Sequence, residues 1–356
     1  MQRRLIVSSS PHLRNSEAST QRIMLDVIIA LAPTALAALW FFGSQAAVLI
    51  AVAVLSAVAA EYFYQYFTHQ RSSVSDLSAI VTGLLVAFNV PASAPWWIPM
   101  VGSFLAIILV KQMFGGLGQN FINPALAART ILMLSWTGLM AANVAPHAGE
   151  WIAPVEGGSY LMQVLGLSKV DAIAGATPLG ASAPAYTLWQ LFSGNIPGML
   201  GETCKLTLLL GGLYLIVRRV IDWRVPVFYL GTVLVAFWIK TGVLYSVESG
   251  SQNALYQLLS GGLFLGAFFM ATDYVTCPTT KTGRIIMGIG CGLVLFVIRA
   301  YNPSYPEGCS FGILFMNVLT PLIDKFTAPK PFGYVKPPKA PKQKKNAADA
   351  KEASKA

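Results

Sequence analysis

Long apolar runs alternate with short polar connections along almost the whole chain. Runs at 24–43, 45–67, 77–90, 96–114 and 121–141 come first. A polar stretch rich in Gly, Pro, Ala and Ser follows at 142–202. Apolar runs resume at 203–217, 225–240, 255–271, 285–300 and 309–323. A helix needs about 20 apolar residues to cross about 30 Å of hydrocarbon, and most of these runs approach that length. The run 77–90 is short, which suits a broken or tilted helix held among neighbours. The pattern predicts an all-α integral membrane protein with about ten transmembrane helices.

The two halves echo each other. Gly83-Leu-Leu-Val-Ala-Phe-Asn89 leads to Pro95, and Gly266-Ala-Phe-Phe-Met-Ala-Thr272 leads to Pro278. Asn123-Pro124 opens the fifth span, and Asn302-Pro303 precedes the tenth. Five spans that start on one side and five that start on the other would form two inverted repeats, a plan common among transporters. The expected organisation is a cytoplasmic segment 1–23, a first five-helix repeat 24–141, an outer loop 142–202, a second repeat 203–323 and a basic tail 324–356.

Composition sharpens this reading. Hydrophobic residues make up 55% of the chain and charged residues 11%. A soluble domain carries about 25% charged residues, so the composition excludes a disordered chain and argues against an ordinary soluble enzyme. The formal net charge is +10, and its distribution decides what it means. With the N-terminus in the cytoplasm and sides alternating, twenty basic residues fall inside. Four fall outside (Lys169, Lys205, Lys240 and Arg299), and Arg129 falls within a span. That asymmetry is the positive-inside signature of ten spans with both termini cytoplasmic. Residues 328–356 hold eight Lys against Asp349 and Glu352, so this segment supplies +6 of the total. It cannot build a core and reads as a disordered tail. Residues 1–23 contain no apolar region before a small-residue cleavage site, so no cleaved signal peptide is expected. Basic residues spread over loops and a tail do not make a nucleic-acid-binding face.

Few residues offer chemistry. Cys204, Cys277, Cys291 and Cys309 form no C-x-x-C pair, and His12, His69 and His147 are isolated. Asp26, Glu61 and Asp273 lie near span ends, where contact with interfacial water is the default. Asn120, Asn123 and Arg129 surround Pro124 after the run Gly115-Gly-Leu-Gly118. A charge at that depth costs several kcal/mol unless paired. Arg129 therefore needs either an anionic cofactor or an internal ion pair joining two helices. In the outer loop, Asp171 is followed by Gly175-Ala176-Thr177-Pro178. Small neighbours leave the Thr177 hydroxyl open, and Pro178 favours an extended backbone before it. An open hydroxyl could accept a transferred group, whereas composition alone reads an ordinary loop.

The stretch Asp171…Gly175-Ala176-Thr177 resembles the D-x-x-[ST]-G-A-[ST] motif of proteins that carry covalent FMN, with Ala174 where Ser or Thr is usual. Over residues 20–330 the chain resembles the RnfD family, a membrane component of Rnf electron-transport complexes. The corresponding component of the sodium-pumping NADH:quinone reductase is a relative of that family. Matching stretches include Gly115-Gly-Leu-Gly-Gln-Asn120-Phe-Ile-Asn123-Pro124-Ala125, Gly201-Glu202-Thr203 and Tyr305-Pro306-Glu307-Gly308. The resemblance implies FMN esterified through its phosphate to Thr177 by a flavin transferase, with Asp171, Gly175 and Ala176 completing the motif. It also implies electron relay between ferredoxin or flavodoxin and NAD, coupled to Na+ or H+ movement. Expected partners are the other Rnf subunits (A, B, C, E and G) and the lipid bilayer of a bacterial inner membrane, with loop 142–202 periplasmic. A second, non-covalent flavin such as riboflavin is a further expectation of the resemblance. Asn120, Asn123 and Arg129 are additional candidate cofactor contacts. Metal ligands and a complete active site are not expected in this chain. The alternatives are a quinone-reductase-type subunit and an inverted-repeat transporter without a redox cofactor.

Overall fold

The computed structural model describes residues 6–7, 13–14, 19–70, 72–146, 178–179, 186–245, 253–302 and 307–329. Their regular structure is helical, apart from a two-residue antiparallel pair, Ile6–Val7 with Leu13–Arg14, and one bridge between Pro91 and Met199.

Helix α1 spans Thr20–Phe67, with the Ser19 hydroxyl accepting from the Arg22 N–H as its N-cap. A straight helix of 48 residues would be about 72 Å long, more than twice the hydrocarbon thickness. The helix is interrupted at Gly43, whose φ of 60° and ψ of −144° suit a residue without Cβ. The expected spans 24–43 and 45–67 are thus two arms meeting within a residue of the expected boundary. Helix α2 (Ser78–Phe88) is as short as its apolar run. Helix α3 (Trp97–Phe104) runs on as a wider π-type winding, Leu105–Gln112.

Two expected spans are corrected. The run 121–141 divides into α4 (Pro124–Ser135) and α5 (Thr137–Ala141), because Trp136 at φ −128° and ψ 56° leaves helical geometry. The run 255–271 divides into α9 and α10. Helix α9 is Ala254–Leu259, and α10 is Leu263–Leu265 with a π-type continuation Gly266–Met270. Between them Ser260 is extended and Gly261 has a φ of +67°. The remaining elements are α6 (Leu188–Ser193), α7 (Lys205–Val217), α8 (Arg224–Thr241), α11 (Lys281–Tyr301) and α12 (Cys309–Thr327). Helix α6 lies inside the expected outer loop, and a Thr187–Gln190 capping box starts it.

The chain is a multi-pass membrane protein. Four helices have the length and composition to cross a bilayer: α1, α8, α11 and α12. Leu36, Trp40, Leu55, Val217, Ile239 and Phe326 are 62–79% exposed. Apolar surface of that extent needs lipid around it. The short helices α2 and α10 avoid unsatisfied backbone in hydrocarbon because they are enclosed by the others.

Hydrogen bonds gather the loops into two groups, as alternation of spans requires. In one group, Asp26 accepts from Tyr214 at 3.0 Å and pairs with Arg218 at 3.2 Å. Arg284 pairs there with Asp222 at 2.7 Å, and the Thr279 N–H donates to Asp324 at 3.0 Å. In the other group, the Leu200 N–H donates to the Val90 carbonyl at 3.1 Å and the Gly201 N–H to Phe88 at 3.0 Å. Lys240 donates there to the Ala300 carbonyl at 2.9 Å. Residues 196–203 are therefore packed against the end of α2, although composition reads them as the end of a polar loop. Gly201 permits the approach, because a Cβ there would overlap the Phe88 side chain.

Candidate functional site

Polar groups concentrate at three places in this apolar bundle. The first is a seam at its centre. The segments 83–89 and 266–272, matched in the sequence, bring their C-terminal ends together. The Asn89 amide donates to the Leu85 carbonyl at 2.6 Å and lies 3.9 Å from the Met270 sulfur. Asn123 caps α4 through the Leu126 N–H and donates to the Met270 carbonyl at 3.2 Å. In the orientation that satisfies both ends of its amide, Asn317 accepts from the Asn123 N–H at 3.1 Å. Helices α2, α4, α10 and α12 thus share one chain of amide contacts. The C-terminal ends of two short helices expose carbonyls with partial negative charge to this seam.

The second place is a charge cluster at the end of the seam where residues 196–203 pack on α2. Arg129 donates to the Asn89 side-chain oxygen Oδ1 at 2.9 Å and forms an ion pair with Glu307. The sequence therefore identified Arg129 as needing a partner, and the structure supplies Glu307 at the start of α12. Lys205 is fully buried and donates to the Glu202 carbonyl at 2.6 Å. Arg299 donates to the Gln257 and Ser260 carbonyls at 2.6 and 3.0 Å. Burial, aided by the Glu307 carboxylate, pushes Glu202 up to about 8 against the pull of Arg129 and Lys205. Burial also opposes ionisation of Glu307, but Arg129 outweighs it and holds Glu307 below the usual range. The cluster is formally three cations against two carboxylates. One oxygen of each carboxylate, Glu202 Oε2 and Glu307 Oε1, has no hydrogen-bond partner among the described residues.

Beside this cluster sits the docked start of the loop that follows the Thr177 motif. Asp171, Gly175, Ala176 and Thr177 lie outside the described residues. Pro178, bonded to Thr177, is buried, and its carbonyl accepts from the Tyr256 hydroxyl at 3.2 Å. Leu179 and Arg299 approach Gly261 together: a Cβ there would lie 2.9 Å from Leu179 Cδ1 and 3.0 Å from Arg299 Nη2.

The third place is a cavity of about 100 Å³ between α1, α2, α4 and α10 at the opposite end of the seam. Asn120, Asn123, Lys111, Ser78 and Asp273 give it polar points in an apolar wall. Of the three additional candidates, Asn120 and Asn123 meet here, whereas Arg129 turns to the charge cluster. Behind the cavity, Lys111 pairs with Glu61 at 2.7 Å. Glu61 is fully buried, which corrects the expectation that it contacts interfacial water. Asp26 is likewise buried and paired rather than solvated. Sequence reasoning did not join Glu61 to Lys111, or Arg129 to Glu307, because apolar periodicity says nothing about which polar groups meet across the bundle. Charged residues bounded by long apolar runs were the available signal. Cys204, Cys291 and Cys309 are buried as small apolar groups. Among the described residues no group of His, Cys, Asp and Glu could hold a metal.

A family model described as the NQR2, RnfD, RnfE family matches residues 6–333. The chain belongs to this family. Several relatives match nearly end to end. One is the D subunit of the Na+-translocating ferredoxin:NAD+ oxidoreductase complex of Acetobacterium woodii. It is 45% identical over 93% of this chain and 96% of its own length. A second is the D subunit of the proton-translocating ferredoxin:NAD+ oxidoreductase complex of Clostridium ljungdahlii. It is 39% identical over 92% of this chain and 96% of its own. A third is the D subunit of the ion-translocating oxidoreductase complex of Escherichia fergusonii. It is 36% identical over 93% of this chain and 99% of its own.

Proposed function

We propose that this chain is the RnfD-type membrane subunit of an ion-translocating oxidoreductase complex and carries FMN as a phosphoester on Thr177. The observation that carries the flavin reading is the run Asp171…Gly175-Ala176-Thr177, next to a docked Pro178. In this reading the subunit relays electrons between the ferredoxin or flavodoxin side and the NAD side of the complex. It works with the other Rnf subunits (A, B, C, E and G), and a flavin transferase installs its cofactor.

The residues around the attachment point fit such a group. A phosphodiester carries one negative charge, and Arg129, Lys205 and Arg299 leave the adjacent cluster net positive. Arg299 flanks Gly261 together with Leu179, two residues beyond the acceptor. The bound flavin supplies the one- and two-electron chemistry, and the protein fixes its position and surroundings. Pro178 and Tyr256 anchor the chain beside the acceptor. The Arg129–Glu307 pair ties α4 to the start of α12 beneath it, and Lys205 caps the turn that opens α7 through the Glu202 carbonyl.

Sidedness follows from charge. The loop group containing Arg218, Arg219, Arg224 and Arg284 is cytoplasmic in this reading. The group containing Pro178 is periplasmic, where flavin transfer occurs. Two inverted five-helix halves whose short helices meet at Asn89 and Met270 suit an ion-translocating subunit. A second, non-covalent flavin such as riboflavin belongs to this reading by family resemblance alone, since the Asn120–Asn123 cavity of about 100 Å³ is too small to hold one. Relatives named for Na+ and for protons match at similar identity, so both ions belong to the reading. The test is a denaturing gel of the chain co-expressed with its flavin transferase. Ultraviolet fluorescence should run with the wild-type band and vanish in Thr177→Ala. A dark wild-type band leaves the cofactor-free transporter.

A further inference from the structure

Between the end of α7 and the start of α11 lies an open cavity of about 570 Å³, which adjoins the Asn120–Asn123 cavity through Val220, Ile221, Thr272 and Tyr274. Its charged lining is Arg219, Arg224 and Arg284 against Asp222. Asp222 is already satisfied, since Arg224 approaches it at 2.8 Å and Arg284 at 2.7 Å. The cavity therefore carries a surplus of two positive charges. Among the described residues the Arg219 guanidinium makes no hydrogen bond or ion pair. Its backbone is left-handed, with φ of 58°, a conformation that disfavours a residue with a Cβ. An exposed Arg held there serves the turn poorly and presents a free cation at the cavity mouth.

The surface leading to this cavity is apolar. Leu206, Leu210, Leu213 and Val217 are exposed on α7. Their spacing puts them on one face of the helix. From Leu206 to Val217 the helix rises about 16 Å, close to half of a 30 Å hydrocarbon core. The stripe thus covers one leaflet and ends where the Arg cluster begins. Exposed Trp223 and Tyr274 flank that junction, as aromatic side chains do at the headgroup level.

We propose that this cavity binds the headgroup of one anionic glycerophospholipid. Arg219 and the paired Arg224 and Arg284 face the phosphate, and the acyl chains lie along Leu206, Leu210, Leu213 and Val217. The match of a cationic cavity to a leaflet-long apolar stripe selects a lipid over a soluble anion or an acidic protein segment. The full chain in mild detergent is titrated with phosphatidylglycerol or phosphatidylcholine and followed by native mass spectrometry. One phosphatidylglycerol is retained in preference to phosphatidylcholine, and inorganic phosphate does not displace it. A basic residue near an anionic headgroup contributes about fivefold in affinity, so Arg219→Ala weakens binding by about that factor. Arg219→Gly does the same with a backbone that accepts the φ, and Arg219→Lys retains most of the preference. Equal retention of the two lipids, an unchanged preference in both Arg219→Ala and Arg219→Gly, or displacement by phosphate alone would overturn the proposal. So would loss of the preference on assembly with the other subunits, which would assign the cavity to a protein contact.

Discussion

Replacing Lys111 with Met removes one partner of a charge pair that is almost wholly buried. Lys111 Nζ lies 2.7 Å from Glu61 Oε2, and the two side chains are 3% and 0% exposed. At an effective dielectric of about 20, two unit charges at that distance attract by about 6 kcal/mol. Desolvating the two ions costs several kcal/mol each, so the intact pair is close to neutral for stability. The single substitution is different, because it leaves Glu61 buried with only Ser73 at 2.6 Å and Gln65 at 3.3 Å as donors. It also leaves the Ser78 hydroxyl without Lys111. Breaking a buried pair this way costs about 3–5 kcal/mol. Glu61→Gln combined with Lys111→Met removes both charges and keeps an acceptor for Ser73, so it should recover at least half of that loss. The assay is reversible unfolding of the full chain in mixed micelles, followed by tryptophan fluorescence and circular dichroism. A Lys111→Met cost below about 1 kcal/mol, or a double variant as unstable as the sum of its singles, would refute the reasoning.

Other consequences are checked in the same preparation. A Cβ on Gly83 would sit 2.8 Å from Val54 Cα and 2.9 Å from the Ala53 carbonyl oxygen. Because backbone cannot step aside, Gly83→Ala should cost about 1–3 kcal/mol of unfolding free energy, and an unchanged midpoint would contradict the close packing of α1 on α2. Burial works against ionisation of Asp222, but the Arg224 N–H and the Arg284 and Arg224 side chains outweigh it and lower its pKa. Its stabilisation is therefore present above its unfolded pKa of about 4 and lost as pH falls through the lower folded value. Asp222→Asn should flatten the acid limb of stability against pH, and an identical limb would argue against the pairing. Burial pushes the Cys277 thiol up to about 12. Alkylation by iodoacetamide at a pH of about 8 should then run more than about tenfold slower than for a free cysteine, and equal rates would show the thiol to be solvated.

Much of the fold was legible because each membrane-crossing segment must be apolar along its whole length. Gly43 divides α1 within a residue of the boundary between runs 24–43 and 45–67. What escaped reading were breaks that leave hydropathy unchanged. Trp136 and the Ser260–Gly262 turn sit in apolar stretches, and only their backbone geometry separates α4 from α5 and α9 from α10. Buried charges were legible as anomalies and not as pairs. Arg129 was marked by its depth, yet Glu307 is 178 positions away, and no local spacing predicts that contact. The inward fold of residues 196–203 escaped for a related reason. Gly201, which suggests a loop, is what allows the backbone to pack against Phe88.

The central claim is a phosphoester between FMN and the Thr177 hydroxyl, and mass spectrometry of the peptide containing Thr177 tests it most directly. The chain is isolated from cells that supply its flavin transferase, digested and fragmented. The account predicts a peptide heavier by the mass of FMN less one water, with fragmentation assigning the addition to Thr177 and no addition in Thr177→Ala. An unmodified Thr177 peptide, or an addition assigned to any other residue, would contradict it.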